Sequence, residues 1–254
     1  MFDTHAHVHA AVFDEDREKA LLRAREVGVT RIMTIGTDLA DSAKARDVAA
    51  AYGLEYAVGV HPHEAKDAPE DIAAALDGIA ATARHAPRAV GEMGLDYYYD
   101  HSPHETQKRV LVAQMRYARA RGLPAVFHQR DAFPDFIDVL RREGRGLRGV
   151  VHCFTGDAEQ ARRLTGEFGL MLGIGGVLTF KTAQSLRDAV TTVGLAPLLL
   201  ETDAPYLAPV PNRGRRNEPS FVVATAARLA ELLETSAEEV AARTDATACA
   251  LFGP

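Results

Sequence analysis

Short apolar segments alternate with longer stretches of helical periodicity along the whole chain. The apolar segments contain β-branched residues and are candidate strands. Eight of them are predicted to be strands, namely residues 2–5, 31–36, 55–59, 89–91, 124–128, 149–152, 169–173 and 198–202.

The segments between these strands carry apolar residues at helical spacing. Examples are DREKALLRAREVG, APEDIAAALDGIAATARH and HETQKRVLVAQMRYARARG, and TSAEEVAARTDATACALF is predicted to be a closing helix. Alternating strands and helices form parallel βαβ units, and eight such units are typical of a (β/α)8 TIM barrel of about 250 residues. We therefore predict an α/β fold with a single barrel domain over residues 1–254.

Composition and charge narrow the functional classes. The 254 residues are 47% apolar and include only two cysteines, and the formal net charge is −6. Such a charge argues against broad electrostatic binding of nucleic acid, although bound metal ions could supply local positive charge. No apolar run approaches the roughly 20 residues of a membrane span, and the first residues lack the features of an export signal. We therefore expect a cytoplasmic protein with no membrane association and no obligate protein partner.

Histidines and carboxylates fall at the predicted strand ends. His5 and His7 are separated by one residue, so their side chains point to the same side of the first strand and can converge on one ion. Four further residues end or follow later strands: Glu92 at strand four, His128 at strand five, His152 at strand six and Asp203 at strand eight. Barrel enzymes build their sites at the carboxyl ends of the strands, where these six side chains would meet.

The ligand types favour a divalent metal. Imidazoles and carboxylates together suit Zn, Mn or Mg, and the absence of thiolates disfavours a structural cysteine-type zinc site. A single histidine at a strand end is more often a polar residue facing solvent, and a Gly-Glu or Thr-Asp pair is more often a turn or helix cap. Six such residues at one end of five different strands are hard to explain in that way, so we predict a metal site.

Two further groups are candidate substrate contacts. His61 and His63 follow the third strand, again one residue apart. They could be extra metal ligands, although the six residues above already suffice for two ions. We predict instead that they contact substrate, including phosphate oxygens, rather than forming a structural turn. The segment PVPNRGRRNEP follows strand eight and carries Arg213, Arg215 and Arg216. This loop is either a solvated basic surface or an anion-binding element.

Six sequence blocks carry these residues: FDTHAHVH, GVHPHEA, VGEMGLDYY, VFHQRDA, VHCFTGD and ETDAPYLAPVPNRGRRNEP. Between residues 2 and 219 they resemble the signature blocks of the TatD family of metal-dependent deoxyribonucleases. The resemblance implies an amidohydrolase-like barrel with two metal ions that hydrolyses phosphodiester bonds, often as a DNA exonuclease. It implies the metal ligands His5, His7, Glu92, His128, His152 and Asp203, and a phosphate site lined by His61 and His63.

Glu92 and Asp203 are the predicted catalytic residues. The hypothesis is that Glu92 bridges two ions and that Asp203 ligates one of them and handles the proton of the attacking water. Many related barrels use a lysine carbamate as the bridge, but no lysine lies near the end of strand four. The same site could instead hydrolyse an amide, lactone or aminoacyl ester, and a non-catalytic scaffold is a third alternative.

Overall fold

Eight strands alternate with nine α-helices in the computed structural model, which describes residues 1–254. The strands are β1 (Phe2–Ala6), β2 (Arg31–Ile35), β3 (Glu55–Val58), β4 (Ala89–Asp96), β5 (Ala125–Arg130), β6 (Gly149–Val151), β7 (Met171–Ile174) and β8 (Leu198–Leu200). The helices are α1 (Arg17–Glu26), α2 (Leu39–Tyr52), α3 (Ile72–Ala81), α4 (His104–Arg121), α5 (Phe133–Glu143), α6 (Ala158–Arg162), α7 (Gln184–Val193), α8 (Val222–Leu232) and α9 (Ala237–Phe252). None of these helices combines the length and the hydropathy that a bilayer-spanning segment needs.

The strands follow one another in chain order, from β1 to β8, in one eight-stranded sheet. The pairs β1–β2, β3–β4, β4–β5, β5–β6 and β7–β8 are all parallel. Parallel neighbours need a crossover connection, and a helix follows each strand. This is the strand order of the (β/α)8 class, so the predicted fold class is confirmed.

The chain forms two compact units. The terminal unit comprises Met1–Thr34 and His152–Pro254, and the central unit comprises Ile35–Val151. The single domain over residues 1–254 that the sequence pattern indicates stays a prediction.

The terminal unit joins the two ends of the chain. Its β8 is a continuous buried run of leucines, as expected for a strand that is covered on both faces. Phe252 at the end of α9 packs edge-to-face against Phe2 of β1, with ring centroids 6.1 Å apart. A bridge between Ala6 and Ala204 then brings the end of β1 beside the segment that follows β8.

In the central unit, α4 anchors the segment that follows β3. Gln114 of α4 accepts a hydrogen bond from the Val60 N–H at 2.8 Å and donates one to the Val60 carbonyl at 2.9 Å. Ser42 of α2 donates to the carbonyl of Gly59 at 3.2 Å and accepts from its N–H at 3.1 Å. These buried side chains provide hydrogen-bond partners for the backbone N–H and C=O groups immediately before His61. They therefore fix the position of the backbone that leads into His61.

Strand β4 is longer than predicted, because it ends at Asp96 rather than at residue 91. Its second half pairs with β5 and places Gly94 opposite His128. A Cβ at position 94 would overlap the His128 carbonyl oxygen, so this close approach requires glycine. Glycine usually weakens a strand interior, which makes the continuation hard to see in the sequence. Glu92 therefore lies within β4 rather than after it, and His128 lies within β5 rather than at its end.

Four other strands, β2, β3, β6 and β8, end one or two residues earlier than predicted. Strand β6 stops one residue before His152, and β8 stops at Leu200 rather than at residue 202. Beyond the end of β8, the side chain of Asp3 takes the place of the backbone hydrogen bonds between strands. Its carboxylate accepts a hydrogen bond from the Thr202 N–H at 2.9 Å and another from the Thr202 hydroxyl at 2.6 Å. This side-chain pairing holds the segment that leads into Asp203.

Candidate metal centre

His5, His7 and Asp203 come together in the terminal unit. Nε2 of His5 lies 3.3 Å from Nε2 of His7, and Oδ1 of Asp203 lies 3.8 Å and 3.4 Å from those two atoms. The Asp203 N–H donates to the His5 carbonyl at 2.8 Å, and the His7 N–H donates to the Ala204 carbonyl at 2.6 Å. Asp203 has a φ of 56°, a left-handed conformation that is uncommon for residues other than glycine and that recurs at functional sites.

The separations of these three atoms suit one divalent ion. Ligand atoms about 2.0–2.1 Å from a tetrahedral ion lie about 3.4 Å from one another. Burial raises the pKa of Asp203, but the hydrogen bond with His7 and the charges of His152 and His5 outweigh burial and lower it. Asp203 is therefore an ionised carboxylate beside two imidazoles, which is a donor set that fits a divalent metal.

His152 and Glu201 extend this cluster. The rings of His5 and His152 are stacked, with centroids 3.9 Å apart and planes within 11° of each other. Oε1 of the fully buried Glu201 lies 3.8 Å from Nδ1 of His152 and accepts a hydrogen bond from the Cys153 N–H at 2.5 Å. Gly173 leaves room for this carboxylate, because a Cβ there would overlap it. The ligand atoms of His5, His152 and Glu201 lie within 4.8 Å of one another and could hold a metal ion.

A second cluster lies in the central unit, where Glu92 meets two histidines. Oε1 of Glu92 lies 2.9 Å from Nδ1 of His128 on the neighbouring strand and 3.3 Å from Nε2 of His61. All three ligand atoms lie within 4.8 Å of one another, and Glu92 is 3% exposed. This donor set also fits a divalent ion, because a carboxylate oxygen stands between two imidazole nitrogens at distances expected for ligands of one metal.

The two histidines of this cluster have opposite pKa shifts. Burial lowers the pKa of His61 to about 4, against the opposing charge of Glu92. Burial also lowers the pKa of His128, but hydrogen bonds with Asp96 and Glu92 outweigh it and raise that pKa to about 9. His61 is therefore a neutral imidazole, and because its Nδ1 accepts a hydrogen bond from the His63 N–H at 3.1 Å, its Nε2 carries the proton that faces Glu92. His128 without a metal holds a proton between two carboxylates.

Asp96 is a further carboxylate of the central cluster that contacts two of its histidines, and it was not among the residues predicted from the sequence. Its Oδ2 lies 3.0 Å from Nε2 of His128 and 3.0 Å from Nε2 of His63. Its Oδ1 accepts hydrogen bonds from the N–H groups of Tyr98 and Tyr99, each at 3.0 Å. Burial raises the pKa of Asp96, but these hydrogen bonds outweigh it and keep the pKa well below its ordinary value. A buried carboxylate that binds one imidazole nitrogen leaves the other nitrogen directed at the metal site.

The predicted substrate histidines lie beside this cluster. The His61 ring meets the rings of His63 and His128 edge-to-face, with centroids 4.3 Å and 4.5 Å away. His61 is almost completely buried, whereas the side chain of His63 is 23% exposed. The predicted contact of both residues with substrate stays a prediction, and His61 also belongs to a group that could hold a metal.

The three loop arginines have different surroundings in the terminal unit. Arg216 binds Asp16 through two hydrogen bonds of 2.7 Å and lies over the ring of Phe13 at 4.3 Å. This ion pair connects the loop to the segment before α1, and the substrate role of Arg216 stays a prediction. Arg213 is exposed and lies over the ring of Phe180 at 4.0 Å, and Arg215 is exposed.

The predicted side chains thus fall into one set in each unit. The set of the terminal unit is His5, His7, His152 and Asp203, and the set of the central unit is His61, His63, Glu92 and His128. The sequence reasoning missed Glu201 and Asp96, although the motifs ETDAP and GLDYY contain them. The available signal was a second carboxylate in each motif, close to a predicted ligand.

Clusters of buried imidazoles and carboxylates on the strands of a (β/α)8 protein, and just after them, are typical of metal-dependent hydrolases. The family model described as TatD related DNase matches residues 2–253, and the chain belongs to this family. Both the predicted family and the predicted hydrolase class are therefore confirmed.

Three relatives illustrate the match. The chain is 40% identical to the uncharacterized metal-dependent hydrolase YabD of Bacillus subtilis, over 99% of this chain and 98% of that protein. It is 37% identical to the 3'-5' ssDNA/RNA exonuclease TatD of Cronobacter sakazakii, over 99% and 97% of the two chains. The crystal structure of YJJV, a TatD homolog from Escherichia coli K12, superposes with a TM-score of 0.93 at 31% identity and covers 100% of this chain and 98% of that chain.

Proposed function

We propose that this protein is a two-metal phosphodiesterase that degrades DNA in the manner of an exonuclease. The observation that carries the proposal is the pair of donor sets, His5–His7–Asp203 and His61–Glu92–His128, each with ligand atoms spaced for a divalent ion. The name of the Cronobacter sakazakii relative adds single-stranded DNA or RNA as the substrate class. We also propose a cytoplasmic location, because two cysteines do not support an extracellular disulfide framework.

The proposed ligands come from the sequence motifs and from these donor sets. They are His5, His7, Glu92, His128, His152 and Asp203, held within one domain over residues 1–254, and the ions are Mg, Mn or Zn. His61, whose Nε2 lies 3.3 Å from Glu92, is proposed as a substrate contact beside these ligands. Two divalent ions supply an activated water and neutralise charge that develops at phosphorus. Glu92 would hold both ions, and the position of its carboxylate between two imidazoles supports a place among the ligands.

The chain's other groups handle the proton and the phosphate. Asp203, whose carboxylate is ionised, accepts the proton of the attacking water. His63, which is partly exposed beside the central cluster, contacts a phosphate oxygen of the substrate. Arg213 and Arg215 attract the charged strand from an exposed loop, whereas Arg216 keeps that loop in place through Asp16.

A turnover assay tests this function directly. The metal-free protein is reloaded separately with Mg, Mn and Zn and offered single-stranded DNA, RNA, model esters and model amides, with Glu92→Gln as the inactive reference. We expect the parent protein to cleave the nucleic acid with at least one metal. Turnover of esters or amides but not of any phosphodiester would overturn the proposal and favour the amide, lactone or aminoacyl ester alternative.

A further inference from the structure

Two exposed tyrosines follow directly after β4 in the central unit. Tyr98 is 58% exposed and Tyr99 is 50% exposed, and their rings meet edge-to-face with centroids 4.9 Å apart. Adjacent exposed aromatic rings are unusual on a protein surface without a binding role, because large apolar side chains are normally scattered singly. We call Tyr98, Tyr99 and Arg130 the aromatic platform.

Arg130 completes the platform from the neighbouring strand. Its guanidinium lies 3.9 Å from the centroid of the Tyr98 ring and 4.7 Å from that of the Tyr99 ring. Arg130 is the last residue of β5 and pairs with Asp96, the last residue of β4, in the strand register. The arginine therefore lies beside the segment that carries the two tyrosines. Planar cationic and aromatic groups in one surface patch are the groups on which nucleobases stack.

The backbone of the two tyrosines is fixed by Asp96, the carboxylate that also contacts histidines of the central cluster. Oδ1 of Asp96 fixes the backbone of Tyr98 and Tyr99, while Oδ2 binds His63 and His128. The Tyr99 ring also contacts the His63 ring edge-to-face, with centroids 5.3 Å apart. A ligand on the tyrosines therefore lies next to His63, and the platform is positioned before any ligand binds.

From this geometry we propose that the aromatic platform stacks bases of a single-stranded nucleic acid whose phosphate reaches His63. The inference rests on the proposed function and deepens it by assigning a subsite for the bases. The net charge of −6 gives the chain no broad electrostatic attraction for a strand, so stacking would add to the local attraction of the bound metal ions and the loop arginines. Stacking accepts any base, because every base has a π-face.

Binding to matched strands tests the platform. The metal-loaded protein is titrated with a dye-labelled phosphorothioate oligothymidylate, which resists hydrolysis, and with the same strand carrying abasic sites, and anisotropy reports affinity. We expect the parent to bind the base-bearing strand at least about tenfold more tightly. Replacing Tyr98 or Tyr99 with Ala should weaken binding of that strand by about 5- to 100-fold and remove most of the preference.

Conservative variants separate stacking from folding. Tyr98→Phe keeps a ring and should retain the preference, whereas Arg130→Lys keeps the charge but loses the planar guanidinium and should reduce it. Tyr52→Leu, which removes a half-exposed tyrosine at the end of α2, is the matched control and should leave the preference unchanged. Equal binding of the two strands by the parent, or an undiminished preference in the Tyr98→Ala and Tyr99→Ala variants, would overturn the platform.

Turnover distinguishes this inference from the function on which it rests. If the parent cleaves no strand with any metal, the proposed phosphodiesterase function fails. If the parent cleaves base-bearing and abasic strands with the same kcat/KM and binds them equally, the function stands and the platform alone is wrong.

Discussion

The Oδ2 atom of Asp96 lies 3.0 Å from Nε2 of His128. The hydrogen bond holds one ring nitrogen of His128, so the opposite nitrogen, Nδ1, faces Glu92 at 2.9 Å. Asp96 thereby selects which nitrogen of His128 can bind a metal. The carboxylate is completely buried, so water cannot take its place without a change in packing.

Asp96→Asn should weaken metal binding through this contact. The amide keeps the volume of the carboxylate but removes the negative charge that favours a proton on Nε2 of His128 and so leaves Nδ1 for a metal. Such changes typically cost about 10- to 100-fold in metal affinity. Metal titration followed by calorimetry measures the effect. Asp100→Asn is the control, because Asp100 is exposed and pairs with His104 instead. Equal metal affinity in parent and Asp96→Asn would show that Asp96 only supports the loop.

Glu92→Gln should impair both metal binding and turnover while the fold is retained. The carboxylate oxygen stands 2.9 Å from His128 and 3.3 Å from His61, and an amide cannot supply the same negative charge. Elemental analysis and circular dichroism report metal content and folding. Glu70→Gln, at an exposed position of the central unit, is the reference. Substantial activity of Glu92→Gln at modest metal excess would mean that another residue bridges.

His63→Ala should reduce DNA cleavage and leave the metal content unchanged. A donor that contacts developing charge typically contributes about 10²–10³ in kcat, whereas a donor that contacts only the ground state changes KM. Steady-state kinetics with parallel metal analysis separates these outcomes, and His85→Ala is the control at an exposed histidine of the same unit. A loss of bound metal in His63→Ala would identify a role in the metal site rather than in substrate binding.

The Asp16–Arg216 ion pair should make stability depend on pH. Hydrogen bonds from Arg216, and one from Arg23, lower the pKa of Asp16 to about 2, from an ordinary value of 3.8. Because the folded pKa is the lower one, the stabilisation is present above about pH 4 and is lost as the pH falls towards 2. Arg216→Gln should therefore cost about 1–2 kcal/mol at pH 7, discounted for partial exposure, and much less near pH 2.

Denaturant unfolding of parent and variant at several pH values measures this difference. Arg228→Gln, which removes an exposed helical pair with Glu231, is the control and should cost far less. A parent–variant gap in unfolding free energy that is constant from pH 7 to pH 2 would contradict the assignment of the ion pair.

Arg213 and Arg215 should act on substrate binding in a salt-dependent way. Replacing both with Gln is expected to raise KM for single-stranded DNA several-fold at low salt, and the effect should shrink as salt rises because fewer counterions are released. Arg228→Gln again serves as a control for the loss of an exposed positive charge. A rise in KM that does not change with salt would show that these arginines do not attract the substrate through their charge.

The order of the strands and the chemical type of the site could both be predicted from the sequence. The apolar periodicity marks each strand and helix because that signal is local. The His-x-His pair at residues 5 and 7 is readable for the same reason, since the spacing alone places both side chains on one side of a strand.

Tertiary structure decided which distant groups pair. The role of Asp96 depends on the register that sets β4 beside β5, and that register depends on the close approach at Gly94. Arg216 looks like part of a basic loop in the sequence, yet its partner Asp16 is 200 residues away. Glu201 is buried beside His152 because Gly173 on another strand leaves space for it. Such pairings depend on packing between elements, and no local spacing in the sequence encodes them.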